Sequence, residues 1–222
     1  MANRLATFFP DRLSMFVPSM KYSCDVEHNA PFRAQLGAPV ALDADGILND
    51  QSIATAGETA VFQSTYSESN MSTYGRNVTC VASGAATSNV TVHGFDYLGQ
   101  PMTESMTLNG TTTVQGLKAF RRIEKVVFGA TAATTIDVGW GNKLGLPYKF
   151  KALILELKNG VVAANAGTFV AGLATGTAAT ATNADTRGTY LPSTVLPDGA
   201  NTFEVLYLAD NDNLHGNAQF KS

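Results

Sequence analysis

The sequence predicts an all-β protein: a β-sandwich or barrel-like core with an extended N-terminal arm and little helix. Three observations carry that expectation. Apolar residues alternate with polar ones in short runs, as where Val90 and Val92 share one face and Asn89, Thr91 and His93 take the other. Successive side chains of a strand point to opposite faces, so such alternation marks a strand. Gly, Asn, Asp and Pro separate the runs, and these are the residues that suit tight turns. Nowhere does an apolar period of 3.6 persist long enough for a convincing long helix.

Residues 1–36 read as the arm. Phe8, Phe9, Leu13, Met15, Phe16 and Val17 are apolar, but Pro10, Pro18 and Pro31 cut the segment into pieces. Asp11 suits the N-cap of one or two helical turns at most. Apolar anchors without a sustained period suit a chain laid along a partner surface. Phe8, Phe9, Leu13 and Phe16 are the residues expected to bind there. The alternative is a segment wrapped on its own core.

Residues 37–150 read as the central β domain. Val40 and Leu42 form a strand leading into a turn at Asp43-Ala44-Asp45-Gly46; Ile47 and Leu48 follow, then Asn49-Asp50, Ile53 and a turn at Gly57. Val61 and Phe62 open the next element. The polar stretch 64–76 reads as a surface loop or an irregular edge segment. Cys80 lies in an alternating strand, as a small buried hydrophobe. Residues 89–108 read as a β-hairpin with a loop of about five or six residues around Asp96 to Pro101. Met102, Met106 and Leu108 share a face with Glu104; Thr103, Ser105 and Thr107 take the other. Residues 118–128 read as a strand with one wet face carrying Arg121, Arg122, Glu124 and Lys125. Gly139-Trp140-Gly141 reads as a bend that sets Trp140 against a core.

Residues 151–222 read as a C-terminal β extension or a second small β unit. The run 149–161 has both strand and helix character, but the β context and Asn159-Gly160, a hairpin turn signal, favour strand. Residues 162–184 are rich in Ala, Thr and Gly, with Phe169, Val170 and Leu173 as their only large apolar residues after Val162. They read as a strand with a long loop, or as a loop ordered against a neighbouring subunit. After the turn at Pro197-Asp198-Gly199, Phe203, Val205 and Tyr207 alternate with Glu204, Leu206 and Leu208. A strand apolar on nearly both sides belongs at the centre of a sheet. The tail from Asn211 is polar, with Phe220 as a docking anchor.

Charged residues are 15% of the 222, against about 25% in an average soluble protein. A surface of Thr, Ser, Ala and Gly suits contact with other protein. Net charge is −3 and the pI about 5.6, which argues against specific nucleic-acid binding. No apolar run approaches the ~18 residues of a spanning helix, so no membrane partner is expected. The N-terminus lacks the pattern of a signal peptide, so synthesis and assembly in a cytoplasm are expected. Cys24 and Cys80 are spaced for neither zinc nor redox chemistry, and nothing in the sequence supports a disulfide between them.

A search for chemistry returns no enzyme, no metal site and no cofactor. His28, His93 and His215 lack second ligands at metal spacing, and His93 lacks a nucleophile and an orienting group. The acidic run from Asp43 to Asp50 departs from the EF-hand pattern. The glycines around Trp140 are not followed by the Gly-Lys-Ser/Thr of a phosphate loop. Arg121, Arg122 and Lys125 read as a solvated face before they read as a DNA contact. The acceptor triplets at Asn70, Asn77, Asn89 and Asn109 are what Asn- and Thr-rich β sequence produces by chance.

From Asn77 to Tyr148 the order V-T-V-x-G-x-D-x-x-G-Q-P-x-T-E-x-x-T-L-N-G-T, then G-x-K-A-F, a Val run and I-x-V-G-x-G-N-x-L-G-L-P-Y resembles a module of tailed-bacteriophage virion proteins, in particular head decoration (cement) proteins. The stretch A-P-V-x-L-D-x-x-x-G-x-L is similar to segments of the same proteins. The resemblance implies a non-catalytic part that binds the major capsid protein at junctions on the capsid surface of the virion, as a homotrimer, and stabilises the mature head. It covers about a third of the chain and transfers no functional residue. A tail-tube or head–tail connector protein is the alternative within the virion. A carbohydrate-binding attachment module, stacking sugars on Tyr97, Trp140 and Tyr190, is the alternative of another class.

Overall fold

The structure, a computed structural model, describes residues 30–57, 62–130, 132–173, 179–210 and 214–219. Nearly all of the regular structure is β, arranged as several antiparallel sheets with a half-barrel. Among the described residues the only helical element is a short 3-10 turn at Glu68–Met71.

A six-stranded sheet is built on β8 (Ala132–Gly145), which pairs with β2 (Asp43–Ile53), β3 (Arg76–Ala82) and β12 (Gly188–Leu191). β6 (Val114–Gln115) and β11 (Thr168–Ala171) extend it at its two edges. A three-stranded sheet sets β4 (Asn89–Phe95) between β5 (Pro101–Thr107) and β7 (Arg122–Phe128). The first core lies between these two sheets, with Val78, Cys80, Ile136 and Val138 facing Val90, Val92, Met106, Val126 and Phe128. A four-stranded sheet runs β1 (Ala30–Gly37), β13 (Phe203–Ala209), β9 (Phe150–Lys158), β10 (Val161–Val162). Its inner face closes a second core, where Ala34, Leu36, Phe203, Val205 and Tyr207 meet Leu144, Leu146 and Tyr190. β8 is long enough to feed both cores: Ile136, Val138 and Trp140 enter the first and Leu144 the second.

Local pattern foresees much of this. The hairpin of β4 and β5 closes over residues 96–100, with Val90 opposite Met106 and Val92 opposite Glu104. β7 alternates as expected, with Ile123, Val126 and Phe128 buried and Arg122, Glu124 and Lys125 exposed. Asn159 and Gly160 join β9 to β10 with φ of 50° and 74°, the left-handed pair that a two-residue hairpin turn needs. β13 lies between β1 and β9. Cys80 is a buried free thiol; Cys24 lies outside the described residues, as do Val61 and Phe220.

Four expectations change. Of the residues read as the arm, 30–36 belong to β1, which pairs with β13. Pro31 is tolerated there since β1 is an edge strand, where a missing amide breaks no central ladder. Val40 and Leu42 are not in a strand; they are 38% and 50% exposed. Asp43-Ala44-Asp45-Gly46 does not turn the chain: it opens β2, whose register against β8 slips repeatedly. Asp50, with φ 48°, marks one of these irregularities, so turn-type residues here serve bulges. Trp140 stands in the strand β8 and not in a bend. Glycine makes the arrangement fit: a Cβ on Gly139 would lie 1.8 Å from the Asp43 carbonyl oxygen, and one on Gly46 would lie 2.4 Å from the Trp140 ring.

Candidate functional site

The most distinctive arrangement of polar groups is a buried junction where the first sheet pair meets the C-terminal segments. Asp96, in the β4–β5 loop, accepts from the Leu98 and Gln100 amides through Oδ1, at 2.9 and 2.8 Å. Its other oxygen accepts from Arg187 at 3.0 Å. The Arg187 guanidinium also donates to the carbonyls of Leu146 (3.2 Å) and His215 (3.4 Å), and lies 4.8 Å from the Tyr97 ring centre. Burial pushes the Tyr97 phenol up to about 12, against the opposing pull of Arg187.

Asp185 sits beside this pair. It accepts from the Arg187 amide (2.9 Å), the Ala119 amide (3.1 Å) and the Gln219 side chain (3.3 Å). Lys118 donates to the carbonyls of Thr103 (2.8 Å) and Gln219 (3.1 Å). Glu104 on β5 receives the amides of Leu117 and Lys118. Gly116 leaves room for that carboxyl, since a Cβ there would lie 2.6 Å from Glu104 Oε2. Desolvation raises Glu104 to about 7, with Leu117, Lys118 and the Lys118 charge pulling down and Asp185 pushing up. Burial lowers Lys118 and Lys143, and the Glu104 charge opposes it in both. Charged groups this deep persist only where hydrogen bonds and opposite charges replace water. The result fastens β5, the 116–119 loop, the 185–188 segment and the C-terminal residues 214–219 to one another.

A second buried contact lies in the other core. Tyr190 donates to Glu156, whose other oxygen receives the Gly167 amide at 2.6 Å. Phe150, Phe169 and Tyr190 stack in sequence, with centroids 4.6 and 4.7 Å apart. Burial, then the Glu156 carboxylate, raise the Tyr190 phenol.

The residues singled out from sequence fall as follows. Phe8, Phe9, Leu13, Phe16 and His28 lie outside the described residues. His93 is half-buried, within 3.2 Å of Thr103 Oγ1; burial and then Lys125 lower its pKa. Of the candidate sugar platforms, Trp140 and Tyr190 are buried and Tyr97 is half-buried under Arg187. Trp140 donates to the Ala41 carbonyl at 3.0 Å, so neither buried ring can stack on a ligand. Arg122 lies over the Phe95 ring, and Arg121 donates to the Glu68 carbonyl at 2.7 Å. Asn77 is buried and accepts the Lys143 amide. Among the described residues no group of three or more His, Cys, Asp or Glu could hold a metal ion, and no helix is long and apolar enough to cross a membrane.

Sequence reasoning missed Arg187, Asp185 and Gln219. The one available signal was composition: in a chain so poor in charge, Asp185 and Arg187 flanking Thr186 just before Gly188 are conspicuous. Their partners across the junction lie 28 to 101 positions away, beyond any local pattern.

No family model matches the chain, and no match is found among curated proteins or solved structures.

Proposed function

We propose that the chain is a non-catalytic structural protein of a tailed-phage virion, a head decoration protein that binds between major capsid subunits as a homotrimer. One observation carries the reading. The polar residues of the stretch that resembles such proteins, Asp96, Glu104 and Lys118, converge with Gly116 on the buried junction. Side chains that catalysis or ligand binding would need at the surface are engaged in fastening sheets together. That is the chemistry of a part that resists deformation. Many copies on the outside of the expanded, mature capsid, each burying protein surface across a seam, stabilise that lattice by binding it and not its opened forms. In the assembled particle the arm with Phe8, Phe9, Leu13 and Phe16 is the element that reaches a neighbour, by packing or strand addition.

The test is the molar ratio of this chain to the major capsid protein in purified virions, by quantitative mass spectrometry. A ratio near one is expected. A ratio lower by an order of magnitude moves the protein to the tail or connector, and absence from particles ends the virion reading.

A further inference from the structure

We propose that a surface pocket between the 36–40 segment and the 69–73 turn binds a small organic oxyanion, a phosphate monoester or a carboxylate. Arg121 and the hydroxyls of Ser72 and Thr73 hold the anion, and Pro39 and Val40 take the apolar body of the ligand. The pocket measures about 300 Å³, at the lower end of the range for small-molecule sites. Local chemistry shapes both walls. On one side Gly37 ends β1 with φ 71°. Beyond it the Pro39 carbonyl accepts the Gly199 amide at 2.8 Å, and Val40 is 38% exposed. On the other side Ser67 caps the 3-10 turn by accepting the Ser69 amide, and buried Met71 anchors that turn. Arg76 ties the two walls together from within, donating to the carbonyls of Val40 (2.9 Å) and Asn70 (3.3 Å). The Arg76 backbone exchanges two hydrogen bonds of 2.8 Å with Phe120, which brings the next residue, Arg121, to the pocket.

The charge of this place is one-sided. Arg121 is half-buried and gives a single hydrogen bond, from Nη1 to the Glu68 carbonyl at 2.7 Å. Arg76 is fully buried; it donates only to carbonyls, and its Nη2 has no partner. Among the described residues neither guanidinium has a carboxylate partner, and no Asp or Glu lines the pocket. The Glu68 carboxylate faces Arg122 at 3.8 Å. Asp43 lines a separate depression that shares only Val40 with this one, and its carboxyl is hydrogen-bonded to Asp45. Burial pulls Arg76 down to about 10, and no neighbouring carboxylate opposes it. Two guanidinium groups held partly out of water without a counter-charge favour an anion beside them. The planar fork of arginine matches two oxygens of a carboxylate or phosphate. The Ser72 and Thr73 hydroxyls, which take no hydrogen bond among the described residues, supply further donors.

The inference concerns the free chain and does not depend on the virion reading. The experiment titrates the isotope-labelled full-length protein with phenyl phosphate, and separately with benzoate, at fixed ionic strength, and follows amide and arginine signals by NMR. Saturable shifts are expected along both walls, at residues 36–40 and 69–73, and in the Arg121 side chain. Arg121→Gln should weaken binding about tenfold or more, the loss of a charge-assisted contact. Arg122→Gln removes the neighbouring charge, which faces Glu68 and Phe95, and should bind as the parent does. If Arg121→Gln fails to fold, Thr73→Val, which removes one exposed hydroxyl, should weaken binding about fivefold. Saturation by one probe and not the other upholds the site and names its oxyanion. No saturable shift with either probe, shifts away from the two walls, or equal weakening by Arg121→Gln and Arg122→Gln overturns the proposal, as does a Thr73→Val protein that binds like the parent. The particle ratio of the preceding section is unaffected by any of these outcomes, so the two ideas fail separately.

Discussion

Arg187 and Asp96 form an ion pair at 3.0 Å with their side chains 1% and 0% exposed, although 91 positions separate them. Removing one partner leaves the other charged and buried. Asp96→Ala is therefore expected to cost about 3–5 kcal/mol of stability. A double-mutant cycle with Arg187→Met, read from urea unfolding midpoints, should show strong coupling, because the second change removes the orphaned charge. Additive single effects would mean that the pair does not brace the junction.

Glu104 gives the junction a pH dependence. Its folded pKa, about 7, lies above the ordinary 4.5. The folded state therefore holds the proton more tightly than the unfolded state. The contribution is fully present below about pH 4.5 and is lost as pH rises to about 7, at up to about 1.4 kcal/mol per unit. Glu104→Gln keeps an acceptor for the Leu117 amide but cannot ionise. Urea midpoints at pH 5, 6, 7 and 8 should show the parent losing stability relative to Glu104→Gln as pH rises. Parallel curves for the two proteins would contradict the assignment.

Two glycines separate steric from backbone cost. Gly160 has φ 74° and open space where a Cβ would stand, whereas Gly139 has no such φ but faces the Asp43 carbonyl at 1.8 Å. Gly160→Ala should cost about 1–2 kcal/mol, from the left-handed backbone alone. Gly139→Ala must push β2 off β8 and should cost about 3 kcal/mol or prevent folding. Thermal melts of both variants test the order. A Gly139→Ala protein as stable as Gly160→Ala would show that β2 yields easily.

Burial, with a smaller push from Glu104, raises the Cys80 thiol to about 12. Only the thiolate reacts readily. Cys80 should resist Ellman's reagent in the folded chain and react at once after unfolding, in a Cys24→Ser background that leaves it the sole thiol. Rapid reaction under native conditions would place Cys80 outside the core.

The hairpin of β4 and β5, the wet face of β7 and the turn at Asn159-Gly160 were all legible, because each rests on alternation or on a turn residue's own conformational preference. Asp43 to Gly46 misled for the same reason. Asp and Gly mark an irregular backbone, but whether it turns or bulges depends on β8 running alongside. β1 was hidden by its proline, since nothing local announces that a distant strand will accept it at an edge. Glu104 could be placed on the buried face of its strand, but not given its partners.

By itself, then, the sequence determined the class of structure, the faces of most strands and the places where the chain reverses, all of which depend on residues a few positions apart. Tertiary structure decided which element covers which face. It set Asp96 against Arg187, gave Glu104 the amides of the 116–119 loop, and left Leu155 on β9 and Leu206 on β13 outside both cores. Pattern tells a side chain to leave water; only the packed chain supplies the group that takes water's place.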